Sequence, residues 1–238
     1  MGKPPILTKY SGIITRNTPY KEGSNIVNLL TKDGSITFKI SGLKKNPLYL
    51  SYVNPLTKGT YFLKGDKALS FKEACDIEPF DFFNDWNKTL FGQSVTELSQ
   101  KFFAPNNDYG YDLLDLFLTK VKESKDIASL FLDFLSYVIK KEGYGLNVES
   151  CQTCGTKENI TAMSFKKGGF LCKAHDDHLG ERFNLNELKI FRHLFSYPLN
   201  DFGNHAYPEE ECFHLIKCLS KYLSEISQTH LAYLRFLK

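Results

Sequence analysis

"NIVNLLTKDGSITFKIS", residues 25–41, holds two apolar runs on either side of Lys32-Asp33-Gly34. An Asp-Gly pair tolerates positive φ at a tight reversal, so the two runs read as the arms of a β-hairpin. In the second arm Ile36, Phe38 and Ile40 alternate with Thr37 and Lys39. Successive side chains of a strand point to opposite faces, so the three apolar residues are expected inside and Lys39 outside. Similar short segments flank the hairpin: "GIITRNT" (12–18) before it, "TYFLKG" (60–65) and "KALSF" (67–71) after it. Five short strands in residues 1–80 point to a small closed barrel of the OB kind, whose open face binds single strands or oligosaccharides.

After "DIEPF" (76–80) the period changes. In "SKDIASLFLDFLSYVIKKEGYG" (124–145), Ile127, Leu130, Phe131, Phe134, Leu135, Val138 and Ile139 follow helical spacing, which predicts an amphipathic helix. Ser124 is expected to cap its start, Lys140 and Lys141 suit its negative end, and Gly143 is expected to stop it. Further helices are expected near 85–103 and 111–123, and at 208–227, where Pro208 and three acidic residues form a start signal. The expected fold class is α+β and multidomain. An OB-fold β-barrel (1–80) precedes an all-α domain (81–238), which carries a zinc knuckle inserted at about 150–180.

The chain has 238 residues, 42% hydrophobic and 24% charged, which are globular values that exclude a disordered or fibrous class. It shows no signal-peptide-length apolar run, and no segment nears the roughly 20 apolar residues that span a bilayer. A soluble, cytoplasmic protein with no membrane partner is expected. Cysteines at 75, 151, 154, 172, 212 and 218 are too few and too clustered for a secreted disulfide scaffold. Net charge is only +3, but residues 1–80 hold 12 Lys and Arg against 6 Asp and Glu. That local excess suits a polyanion, and equally a solvated lysine-rich face.

Cys151-x-x-Cys154, 17 residues, then Cys172-x-x-His175 is the layout of a structural zinc site. Two ligands three positions apart on a turn face one small cation, and the second pair closes a tetrahedron. His175 keeps the spacing and is favoured as the fourth ligand; His178, in "HDDH", is the alternative. Four filled positions argue against a catalytic metal, which needs one open. A zinc deaminase would need H-x-E, which is lacking. A metal-dependent phosphohydrolase built on His175-Asp176 would need further His and Asp, and His193, Asp201, His205 and His214 have no convincing spacing. Cys212 and Cys218 lie within a periodic helix and read as core. No phosphate-cradling glycine loop or nucleophile elbow occurs.

A barrel, then helices, then a zinc knuckle within the helical part resembles the RecO family of bacterial recombination mediators. "GIITRNTPYKEGSNIVNLLTKDGSITFKISGLKK" (12–45) is similar to that family's opening, "FKEACDIEPF" (71–80) to its barrel exit, and "KKEGYGLNVESCQTCG" (140–155) to its lead into the zinc ligands. The chain departs from the family pattern in closing the knuckle with Cys172-x-x-His175 instead of a second C-x-x-C, and in the short basic stretch Lys44-Lys45. The resemblance implies a non-catalytic, nucleoid-associated protein with structural Zn2+. It would bind single- and double-stranded DNA, anneal complementary strands, and with RecR help load RecA onto DNA coated by single-strand binding protein. It would also recognise that protein's C-terminal tail through the helical domain. Binding through phosphates ignores sequence, as annealing requires. The expected DNA-binding residues are Arg16, Lys21, Lys39, Lys44 and Lys45; Tyr20 is either a base-stacking ring or a partly buried barrel aromatic. The alternatives left open are another zinc-bearing nucleic-acid-binding module, in transcription or RNA handling, and the metal-dependent hydrolase.

Overall fold

A computed structural model describes residues 7–66, 68–80, 85–103, 109–176 and 181–237. The chain forms two compact units, 1–119 and 120–238. In the first, β1 (Leu7–Lys21), β2 (Ser24–Thr31), β3 (Gly34–Ser41), β4 (Lys58–Lys64) and β5 (Leu69–Glu78) close a barrel in the order β1-β2-β3-β5-β4. Every pair is antiparallel except β3 and β5, which run parallel through Phe38↔Leu69 and Lys39↔Ser70. This is the expected OB-type barrel. The hairpin of 25–41 forms in register from Thr31↔Gly34 to Ser24↔Ser41. Phe38 and Ile40 join Ile14, Val27, Leu29, Tyr61 and Leu63 in the core, Ile36 packs against it, and Lys39 lies on the outer face.

β1 and β5 outrun their apolar segments, because their extra length alternates half-buried residues with exposed Lys9, Ser11, Glu73 and Cys75. A short helix, α1 (Leu48–Tyr52), was not expected; it packs Tyr49 and Tyr52 against the barrel core, and the Tyr52 carbonyl accepts the Tyr61 hydroxyl at 2.7 Å. Two further helices, α2 (Trp86–Phe102) and α3 (Gly110–Glu123), follow β5. A bulge in β1 between Ile14 and Arg16 turns the Thr15 carbonyl to α2, where the Gln100 amide donates to it at 2.7 Å. Lys58 of β4 pairs with Asp115 of α3 at 2.5 Å.

In the second unit α4 (Ile127–Lys141) packs against α5 (Leu185–Ser196) and α6 (Glu209–Ile226). The cap of α4 differs from expectation: Asp126, not Ser124, accepts the Ser129 N–H, while Ser124 Oγ accepts from Asp126 N–H. At its end Gly143 N–H reaches the Lys140 carbonyl and Tyr144 N–H the Ile139 carbonyl, the paired bonds that close a helix at glycine. α4 is also not simply amphipathic. Ala128, Ser129, Leu132 and Asp133, on the face away from its main apolar stripe, are buried as well, as befits a helix enclosed on all sides. α5 was not foreseen; it starts at a capping box of Asn184 and Glu187. Between α4 and α5, β6 (Ile160–Ser164) and β7 (Gly169–Cys172) form the knuckle's hairpin. Among the described residues no helix is long and apolar enough to cross a membrane.

Candidate nucleic-acid interface and metal centre

The outer face of β1–β3 carries two of the expected cations, Arg16 and Lys39. Arg16 is in register with Asn28 and Thr37, and two residues along, Thr18 is in register with Ile26 and Lys39. Residues two apart share a face about 7 Å apart, so Arg16 and Lys39 stand on the same side of the sheet. Tyr20 lies farther along β1 and is 56% exposed, so more than half of it is open to solvent. Its ring has Lys21 Nζ at 5.3 Å and Lys39 Nζ at 5.9 Å from the centroid, within reach of cation–π attraction.

Lys44 has an acidic partner. The turn after β3 is stapled to the β1–β2 turn by Gly42 N–H and Leu43 N–H, which both donate to the Gly23 carbonyl. This brings Lys44 Nζ to 2.5 Å from Glu22 Oε1, so part of its charge is already answered. Lys45 is exposed and has no ion-pair partner among the described residues. Lys21, Lys39 and Tyr20 thus form a group, Arg16 adjoins it on the same face, Lys44 is paired at its edge, and Lys45 is not drawn into it.

The metal-ligand spacing is realised in three dimensions. One donor atom from each of Cys151, Cys154, Cys172 and His175 lies within 4.8 Å of all the others. Cys154 Sγ and Cys172 Sγ are 3.8 Å apart, and His175 Nδ1 is 3.8 Å from Cys151 Sγ and 3.3 Å from Cys172 Sγ. A tetrahedral ion with metal–sulfur bonds of about 2.3 Å and metal–nitrogen bonds of about 2.0 Å separates its ligands by roughly 3.5–3.8 Å. The donors therefore fit zinc in kind and in spacing.

Local backbone geometry sets this arrangement. Gly155, at φ +74°, lets its N–H return to the Cys151 carbonyl at 2.8 Å, and His175 N–H closes the matching turn onto the Cys172 carbonyl at 2.9 Å. Residues 146–148 lie beside β7: Asn147 bridges Gly169, and Gln152 N–H donates to the Phe170 carbonyl. A Cβ on Gly169 would stand 2.3 Å from the Asn147 oxygen, so only glycine admits this approach.

The thiols respond to this crowding. Burial opposes ionisation of Cys151, but the backbone N–H groups of Cys172, Cys154 and Thr153 outweigh it and pull the thiol down to about 6. At Cys154 the Thr156 N–H pulls down, while burial and the sulfurs of Cys151 and Cys172 prevail and hold the thiol up. Neighbouring sulfurs resist ionising together, and a bound cation removes that conflict. All six cysteines are free thiols.

His178, the alternative ligand, and Asp177 lie outside the described residues. His193, Asp201, His205 and His214, the residues a hydrolase would have drawn on, contribute no donor to this cluster.

Residues 84–234 match the family model described as "Recombination protein O C terminal". The chain belongs to the RecO family. Proteins named DNA repair protein RecO align along almost the whole length. That of Bacillus cytotoxicus is 25% identical over 246 residues, covering 97% of this chain and 96% of the relative. That of Bacillus mycoides is 24% identical over 238 residues with the same coverage, and that of Bacillus cereus 25% identical over 238 residues. The RecO family match takes in the knuckle and the helices, and the RecO relatives extend the likeness through the barrel.

Proposed function

We propose that the chain acts in DNA repair as a recombination mediator, with residues 1–80 as its nucleic-acid-binding domain and 81–238 as its helical domain. In this reading Arg16, Lys21, Lys39, Lys44 and Lys45 neutralise phosphates of single- and double-stranded DNA, and Tyr20 stacks on an unpaired base. The observation that carries it is the exposed Tyr20 ring flanked by Lys21 and Lys39 on the outer face of an OB-type barrel. A π-face with adjacent cations is how sequence-tolerant single-strand binding is built. Contacts that ignore sequence suit annealing of complementary strands. With RecR the protein would then help load RecA onto DNA coated by single-strand binding protein, and the helical domain would take that protein's C-terminal tail.

Zn2+ in Cys151, Cys154, Cys172 and His175 would be structural, because side chains fill all four positions of a tetrahedron. Its contribution is to hold 146–156 and the β6–β7 hairpin together; no step on DNA passes through it, and the protein would not be an enzyme.

The test is annealing of complementary oligonucleotides coated with single-strand binding protein, with and without RecR. Acceleration that is stronger with RecR, and lost when Lys21, Lys39 and Tyr20 are replaced together by Glu, Glu and Ala, is expected. No annealing at low salt would overturn the reading.

A further inference from the structure

We infer that the 120–238 unit holds a second metal site, formed by Glu181, His214 and Cys218, for a divalent transition-metal ion of the zinc type. His214 and Cys218 stand four residues apart on α6, so both face the same way. Glu181, ahead of α5, brings Oε1 to 3.2 Å from His214 Nε2, and one donor atom from each of the three residues lies within 4.8 Å of the others. Sulfur, imidazole and carboxylate on one ion suit zinc, cobalt or nickel, and not magnesium or calcium, which take oxygen ligands.

The imidazole is already oriented for the task. His214 Nδ1 is bonded to the carboxylate of Glu187, which is only 4% exposed. Glu187 is fixed in turn by the α5 cap, where Asn184 N–H donates to its Oε2 at 2.6 Å. A carboxylate on the far nitrogen is the arrangement that sets the tautomer and aim of metal-ligating histidines. Phe183 packs along the ring at 5.6 Å between centroids, which limits its rotation. Nε2 is thereby turned toward Glu181.

Three protein ligands leave one coordination position open, unlike the four-donor knuckle. A cavity of about 270 Å³, lined also by Phe165, Lys217, Lys221, Tyr222 and Glu225, adjoins it. Phe165 follows β6 in the knuckle's hairpin and stacks on Tyr222 at 5.0 Å, so the hairpin supplies one wall of this cavity. A water or a small anionic ligand would complete the sphere; Lys217 supplies positive charge, while Lys221 is paired with Glu225 at 4.0 Å. The competing arrangement is an ion-pair bridge only, with a protonated His214 between two carboxylates.

Zinc titration of the full chain against a chelating indicator separates the two. Two zinc equivalents per chain are expected, the weaker abolished by Cys218→Ala and weakened on the order of tenfold or more by Glu181→Gln, with the tighter retained in both. Glu181 is exposed, so its variant reads affinity without disturbing the fold. With the knuckle zinc-filled, added Co2+ is expected to give a thiolate-to-cobalt absorption band that Cys218→Ala removes. A single zinc equivalent in the parent, or a second one indifferent to both substitutions, would overturn the site and establish the ion-pair bridge. Cys154→Ser, which opens the knuckle and spares α6, shows which equivalent belongs to which site.

Discussion

Asp133 is a carboxylate on a helix enclosed on all sides. Burial pushes its pKa up to about 6, against the pull of the Gly203 N–H, the Tyr207 hydroxyl, His205 and Lys140. The folded value lies above the unfolded one of about 4, so the folded state holds this proton more tightly. Stability from this group is therefore full below about pH 4, declines as pH rises to about 6, and is flat above. The loss is on the order of 3 kcal/mol. Urea midpoints from pH 4 to 8 for the parent and Asp133→Asn should differ by this slope; parallel profiles would contradict it. On the barrel, Glu22→Gln releases Lys44 from its exposed ion pair. Such pairs add little to stability, so the fold should hold. Single-strand affinity should rise several-fold, with the salt dependence steepened by roughly 0.7 in log–log slope for one more phosphate contact. Anisotropy titrations at several salt concentrations measure both. The outward aim of Lys39 was legible, because period-two alternation fixes which face a strand residue takes. The partner of Lys44 was not: Glu22 is 22 positions away on a different turn, and no periodicity links two exposed turns.

The knuckle shows how one element depends on a close backbone approach. Gly169→Ala would push residues 146–148 off β7 and carry Cys151 with them. Destabilisation of about 1–3 kcal/mol is expected, together with weaker metal affinity. Thermal unfolding and chelator competition should move together; unchanged metal affinity would show that β7 does not position Cys151. The convergence of Cys151, Cys154, Cys172 and His175 was legible in their spacing, since turns bring neighbouring donors together, whereas the choice between His175 and His178 was not. α1 could not, because five residues are too few to display a helical period. α5 carries both marks of a helix, a start signal in Asn184 and Glu187 and a stripe of Leu188, Phe191, Leu194 and Phe195 at helical spacing, so it was legible although not foreseen. α4 was legible as a helix, but not its burial on every side. Ser129, Asp133 and Ser136 look like a solvent face, and they are tolerated inside because their polar atoms are bonded, Ser136 Oγ to the Asp133 carbonyl at 2.9 Å and Asp133 to Gly203 and Tyr207.

For the molecule as a whole, the proposed DNA face and the metal cluster fall in different compact units. Cys154→Ser should therefore lower the unfolding temperature of the 120–238 unit while single-strand affinity stays within about twofold. Structural zinc contributes on the order of 10 kcal/mol in small peptides and less in a unit with its own core. Calorimetry with anisotropy on the same sample checks this, and a parallel loss of DNA affinity would place binding residues near the knuckle. The barrel's existence was written in five short alternating runs, whereas the parallel joining of β3 to β5 depends on closure and on no local signal. The bulge at Thr15 bears on how the chain can be dissected. A fragment ended at residue 80 keeps every barrel strand, yet it strips Thr15 of its Gln100 donor and Lys58 of Asp115. The smallest piece that carries the barrel with its own fastenings runs to the end of α3.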